Sequence, residues 1–222
     1  APIAPLRQSD PGQFTVKNLN MVTVLSKIQR ATDYRLTEPG LPQQLGSLRK
    51  KGVQMLALTS RNHLAVESTL EALQKRGLDF SASAPWQELE SFPPWPGARA
   101  LIYKKGVCFG RGEDKGRILL ALFEKFSSRP RSLVFADDSR KNAQAVAAAM
   151  EKAGIPAYVF RYNAMDALFK EQAEPQALAA ARVQLKLFAR EGRLLSNKEA
   201  LALSKTAPVS VEDAQAMLFG KP

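Results

Sequence analysis

The chain of 222 residues has one cysteine, Cys108, and one histidine, His63. A lone cysteine excludes an intramolecular disulfide and a thiolate metal cluster. A lone histidine excludes a zinc site built on two or three imidazoles. A Ser-His-Asp triad needs only one histidine, but no spacing in the chain points to it. No run approaches the ~18 apolar residues of a membrane-spanning helix, so the sequence reads as a soluble protein without a transmembrane segment. Acidic residues are the minority: 21 Asp and Glu stand against 32 Lys and Arg, a net charge of +11. That excess suits an anionic partner or membrane surface, and it equally suits simple solubility. The basic clusters (Arg49 to Lys51, Lys104 and Lys105, Arg129 and Arg131, Arg140 and Lys141) are scattered and make no nucleic-acid footprint. The opening Ala1-Pro-Ile-Ala-Pro5 has neither a charged n-region nor an apolar h-region, so it is not itself a signal peptide, and it is equally compatible with what remains after one is cleaved.

Hydrophobic residues make up 45% and charged residues 24%, a globular composition. The length predicts a single domain, 1–222. Residues 1–13 read as loop, and 14–36 are ambiguous. Phe14 to Val16 fits a strand, whereas Met21, Val24, Leu25 and Ile28 have helical spacing. Leu41, Leu45 and Leu48 line a helix that Lys50-Lys51-Gly52 should end. A buried strand is predicted over Val53 to Leu58, followed by a polar turn and a helix carrying Leu64, Thr69, Leu70 and Leu73. The stretch 81–97, with Trp86 and Trp95, reads as a packed irregular loop. A β-hairpin turns at Lys104-Lys105-Gly106, and loop and hairpin together form an insert near 81–112. A helix starts at Asp114-Lys115-Gly116. Ser132 to Ala136 and Ala157 to Phe160 are further buried strands, with a helix over 141–153 capped by Asp138 or Ser139. The tail, near 164–222, is mostly helical by pattern.

Strand–helix–strand alternation of this kind predicts an α/β domain with a parallel sheet and helices on both faces. In such sheets functional groups gather beyond the strand C-termini. Thr59-Ser60 and Asp137-Asp138 hold that position on two strands. Two neighbouring carboxylates offer hard oxygen ligands suited to Mg²⁺, while capping of the next helix needs only one of them. Thr59 can hydrogen-bond a phosphoryl oxygen or simply cap a helix. Lys115 opposes the helix dipole at a helix start, a misfit that a facing phosphate would explain. His63 is expected on an exposed first turn, and Cys108 as a small core residue.

Taken in order, these segments resemble the haloacid dehalogenase (HAD) superfamily. Met55-Leu-Ala-Leu-Thr59-Ser60 matches its motif II, Asp114-Lys115-Gly116 its motif III, and Val134-Phe-Ala-Asp137-Asp138-Ser139 its motif IV. The stretches Leu36-Thr-Glu-Pro-Gly40, Ala57-Leu-Thr-Ser-Arg61 and Asp137-Asp-Ser-Arg-Lys-Asn142 further resemble a bacterial branch of HAD-like proteins thought to be exported. The resemblance covers roughly residues 34–205. It implies a Rossmann-type, Mg²⁺-dependent phosphomonoester hydrolase fold acting on a phosphorylated small molecule, in a periplasmic or secreted protein. Thr59 and Ser60 would bind phosphate, Lys115 would neutralise it, and Asp137 with Asp138 would hold the metal.

The chain departs from that family at motif I, an Asp-x-Asp that supplies the nucleophile and the general acid/base. No Asp-x-Asp occurs in the 222 residues. Either Phe14-Thr-Val-Lys-Asn18-Leu-Asn20 is motif I with both carboxylates replaced by amides, or the motif lies outside this chain. Two functions follow: a phosphatase whose nucleophile is supplied from elsewhere, or a catalytically inactive HAD-fold module that binds a partner.

Overall fold

The structure, a computed structural model, describes residues 34–164, 166 and 175–214. Asn18, Asn20 and the strand or helix expected over 14–36 lie outside those residues as far as position 33. The chain divides into two compact units. One comprises 34–165, and the other joins 1–33 to 166–222.

In the first unit the expected helix α1 spans Leu41–Lys50, with basic Arg49 and Lys50 in its last turn. Gly52 follows at φ 75°, donating to the Arg49 carbonyl. Strand β1 is Ala57–Thr59, shorter and later than the predicted 53–58. Its partner β4 (Val107–Phe109) offers only three residues to pair with, and the Met55 amide bonds instead to Ser83. A 3₁₀ turn, His63–Ala65, capped by the Asn62 side chain, leads into α2, Val66–Lys75. His63 is exposed, as expected.

The predicted hairpin is present. β3 (Leu101–Lys104) and β4 pair antiparallel across Lys105-Gly106. Both turn residues have positive φ, 48° and 73°, the geometry of the tight hairpin turn that matches strand twist. Gly106 is also obligatory on space, since a Cβ there would lie 2.5 Å from the Phe80 carbonyl oxygen. A strand that the pattern did not reveal, β2 (Leu89–Phe92), adds antiparallel to β3 with a register irregularity. It is an edge strand that stops at Pro93, where a missing amide donor is tolerated. Hairpin and β2 thus belong to one four-stranded sheet, ordered β1-β4-β3-β2, in which β1 and β4 are parallel.

The helix α3 spans Lys115–Lys125, N-capped by the Asp114 carboxylate on the Arg117 amide. β5 (Leu133–Asp137) and β6 (Ala157–Arg161) form a second, parallel pair, joined by α4, Arg140–Lys152, which Ser139 caps. The expectation of one parallel sheet through both 53–58 and 132–136 is therefore corrected: β1 and β5 lie in different sheets. The physical reason is an open edge on each. Among the described residues β1 pairs only with β4, and β5 only with β6.

Helices cover both faces of the four-stranded sheet. Ile118 and Leu122 of α3 pack on Leu101, Tyr103 and Cys108, whereas Val66, Leu70 and Leu73 of α2 pack on Val107, Phe109 and Ala57. Trp86 packs in the first of these clusters, stacked on Phe126 with ring centroids 5.1 Å apart. The two-stranded sheet has one covered face. Leu133, Phe135, Ala157 and Val159 join Val146 and Met150 of α4, together with Leu56 and Leu58 from the β1 side. Its other face carries Val134, 70% exposed, and Phe160, 56% exposed. Close approach of α3 to α4 requires Gly116, where a Cβ would sit 2.4 Å from the Ala145 carbonyl oxygen.

The second unit holds α5 (Pro175–Glu191) and α6 (Asn197–Thr206), in line with the helical tail predicted. Val183, Val209 and Ala214 form its core with Leu185, Leu187 and Leu203. Ser196 and Glu199 make a reciprocal capping box at the start of α6. No helix among the described residues is long and apolar enough to cross a membrane.

Candidate functional site

Four of the five described site residues sit at two strand ends, and the fifth reaches between them. Thr59 ends β1 and Ser60 follows it. Asp137 ends β5 and Asp138 follows it. Lys115 is the first residue of α3 and is 7% exposed. Its Nζ donates to the Leu58 carbonyl at 2.8 Å and to Asp137 Oδ2 at 2.6 Å. One ammonium group thus ties the end of β1, at the residue before Thr59, to Asp137 at the end of β5. The helix start that makes Lys115 unfavourable to the α3 dipole is compensated by this carboxylate.

Asp137, 8% exposed, uses both oxygens. Oδ2 takes Lys115, and Oδ1 accepts from the Ser139 amide and from Asn142 Nδ2, each at 2.9 Å. Burial pushes its carboxyl upward, but the bonds from Lys115, Asn142 and the Ser139 amide, with the Lys115 charge, leave it net below its ordinary value. Asp138 and Ser60 are exposed. The Thr59 hydroxyl accepts from the Arg61 amide at 3.3 Å, which leaves its own proton available to donate.

Two cations that the motifs did not single out border Thr59. Arg61 follows it by two residues, with its guanidinium donating to Thr69 Oγ1 at 2.9 Å. Arg111 lies just past β4, where the Gly110 amide bonds the Thr59 carbonyl at 2.7 Å and the Arg111 amide bonds the Arg61 carbonyl. Arg111 Nε is buried without a hydrogen-bond partner, and the residue has φ 52°. Adjacency to a strand end was the only sequence signal for either. Cys108, fully buried beneath the site, has its thiol pushed up to about 12 by burial, against the opposing charge of Lys115.

The metal expectation meets a poor donor set. Among the described residues no three His, Cys, Asp or Glu side chains group to hold an ion. Asp137 is committed to three donors, one of them cationic, and Mg²⁺ demands near-octahedral oxygen coordination. The described residues alone do not fit a Mg²⁺ site. The chemistry present is cationic and hydrogen-bond donating: a buried ammonium at Lys115, the half-buried Thr59 hydroxyl, and two half-buried arginines next in sequence or strand pairing, a donor set suited to an oxyanion.

The comparisons give a family but no activity. A family model described as "Protein of unknown function (DUF2608)" matches residues 14–201. A "Putative outer membrane protein" of Chlamydia trachomatis serovar D is 25% identical over 179 residues, which cover 80% of this chain and 63% of that relative. The chain thus spans less than two thirds of that relative's length. No solved structure matches the chain. Over most of its length, from Phe14 to Leu201, the chain belongs to the DUF2608 family.

Proposed function

We propose that the strand-end cluster of Thr59, Lys115 and Asp137 is the phosphoryl-binding half of a HAD-like, Rossmann-type phosphatase fold whose nucleophile motif is degraded in this chain or lies outside it. The observation that carries this reading is the buried Lys115 ammonium, held at the C-terminal ends of two parallel strands by Leu58 and Asp137. Three segments chosen for their order in the sequence meet at that one ammonium.

The division of labour follows from the hydrogen bonds. Asp137 and the Leu58 carbonyl hold the Lys115 ammonium in place. Lys115 has three donors and spends two, so the third is left for a phosphoryl oxygen. The Thr59 hydroxyl donates to a second oxygen, and the turn after β1, with Ser60, supplies backbone amides. Arg61 and Arg111 add positive potential at the same strand ends. Phosphoryl transfer through a covalent intermediate needs an activated carboxylate. Asp137 cannot serve, because its oxygens are taken by a cation and two N–H donors. Any Mg²⁺ would need Asp138 and further oxygen donors beyond the described residues.

The same saturation of Asp137 favours a second reading, an inactive HAD-fold module that binds an anionic group without turning it over. For either reading, the exported or periplasmic placement rests on the resemblance to exported HAD-like proteins and on the name of the chlamydial relative.

The experiment is a titration of the isotope-labelled 222-residue chain with inorganic phosphate, followed through its amide resonances. Shifts concentrated at Ser60, Arg61 and Lys115 support phosphoryl binding. Shifts spread over the surface basic clusters, sparing those three, refute it.

A further inference from the structure

Two arginines stand where the ends of β1 and β4 meet, and neither is paired with a carboxylate among the described residues. The Gly110 amide bonds the Thr59 carbonyl at 2.7 Å, and the Arg111 amide bonds the Arg61 carbonyl at 3.2 Å. Contact between the two chains thus continues past Thr59 and sets Arg111 beside Arg61. Thr59 and Ala57 share one side of β1, because side chains alternate along a strand. That side is the α2 side, where Ala57 packs with Val66 and Leu70. Arg61 reaches the same side, since its Nη1 donates to Thr69 Oγ1 of α2 at 2.9 Å.

The acidic side chains at hand are engaged elsewhere. Glu67 of α2 pairs with Lys104, Glu113 with Arg99, and Asp137 with Lys115. Other arginines of this unit have partners too: Arg99 holds Glu113, and Arg117 stacks 4.0 Å over the Trp95 ring. Arg61 is held only by neutral groups. The Thr69 hydroxyl gives its proton to the Ala65 carbonyl at 2.6 Å, which fixes its oxygen as an acceptor for Arg61, and the Tyr34 ring lies 5.9 Å from the guanidinium. Arg111 Nε is shut off from solvent with no hydrogen-bond partner. A buried donor of a cation left unmade is costly, and a ligand acceptor would remove that cost.

We infer that Arg61 and Arg111 form a second anion subsite beside the phosphoryl site, so that the ligand carries two anionic groups joined by a short linker. The inference rests on the reading of Thr59 and Lys115 as phosphoryl-binding. Residues two apart on an extended chain are separated by about 6.6 Å, which sets the distance between the two groups. A guanidinium fork matches phosphate and carboxylate alike, so the second group is a phosphate or a carboxylate.

The test is titration of the isotope-labelled 222-residue chain with propyl phosphate, trimethylene bisphosphate and carboxypropyl phosphate at one ionic strength. Arg111→Gln and the surface control Lys51→Gln are titrated beside it. At least one of the two double anions should bind the unmodified chain about tenfold tighter than propyl phosphate, and the tighter one identifies the second group. That advantage should fall to about twofold or less in Arg111→Gln and persist in Lys51→Gln. No advantage in the unmodified chain, with propyl phosphate still shifting Ser60 and Lys115, overturns the second subsite and leaves the phosphoryl site standing. No propyl phosphate shift at those residues overturns both. An advantage that survives Arg111→Gln, or that Lys51→Gln removes equally, would be diffuse charge attraction and overturns the subsite. Should Arg111→Gln unfold, the Arg111 Nε–H resonance of the unmodified chain decides. A shift with a double anion but not with propyl phosphate supports the inference, and no response to either overturns it.

Discussion

Lys115 Nζ lies 2.6 Å from Asp137 Oδ2, and both residues are more than nine-tenths buried. With its bond to the Leu58 carbonyl, the Lys115 ammonium links the β1 end to the β5 end. The energetics of the pair are asymmetric. A buried pair need not stabilise relative to apolar replacements, but removing one partner leaves an uncompensated charge.

From that asymmetry, Asp137→Asn should destabilise the chain by about 3–5 kcal/mol. Lys115→Met should do the same, and the double variant should lose less than the sum. Urea unfolding of the four proteins measures the cycle. Additive losses would show that the two groups do not interact in solution.

The acid limb of stability has a definite sign. Burial pushes the Asp137 carboxyl up, but the bonds from Lys115, Asn142 and the Ser139 amide, with the Lys115 charge, together hold it below its ordinary value in the folded chain. Its contribution is therefore fully present above the unfolded value of about 4. It is lost as pH falls through the lower folded value. Urea midpoints taken from pH 6 downward should fall below about pH 4, and Asp137→Asn should flatten that fall. An equally steep limb in the variant would assign the acid sensitivity to other carboxylates.

Gly116→Ala opposes two effects. Alanine improves helix propensity by roughly 1 kcal/mol. The new Cβ would lie 2.4 Å from the Ala145 carbonyl oxygen and 2.8 Å from Ala149 Cβ, so α3 and α4 must separate. Overpacking of this kind costs roughly 1–3 kcal/mol, and backbone cannot yield as a flexible side chain can. The expected net is destabilisation, with shifted Lys115 and Asp137 resonances. A higher melting temperature in Gly116→Ala would contradict the close helix contact.

Turnover is expected to be absent. Assayed with Mg²⁺ and a generic aryl phosphate, the 222-residue chain should show no appreciable hydrolysis. An amide is neither a competent nucleophile nor a general base near neutral pH. Turnover that disappears in Asp137→Ala would refute this. Activity gained only by Asn18→Asp with Asn20→Asp would identify those residues as the decayed motif.

Helix starts and stops were legible where local chemistry sets them. Asp114 and Ser139 do cap α3 and α4, and Gly52 and Gly154 follow the ends of α1 and α4 with positive φ. The Lys105-Gly106 hairpin was legible for the same reason. The convergence of Lys115 on Asp137 was legible only as order along the chain and as a cation opposing a helix dipole. What was not legible depends on distant partners. β2 hides among Trp and Pro residues because an edge strand needs one neighbour and little alternation. The break between β1 and β5 is invisible to periodicity, since Leu133 and Phe135 are as apolar as strands in one sheet would be. Arg61 and Arg111 gain meaning only once Gly110 is bonded to Thr59.

The central claim is that Thr59, Lys115 and the turn after β1 form an oxyanion site. Its most direct measurement is phosphate titration of the isotope-labelled chain beside Thr59→Val, which keeps the side-chain shape and removes the hydroxyl. The account predicts saturable shifts at Ser60, Arg61 and Lys115 in the unmodified chain. It also predicts roughly tenfold weaker binding in the variant, as expected for one hydrogen bond to a charged group. Equal affinity in the two proteins, or no saturable shift at those three amides, would contradict it.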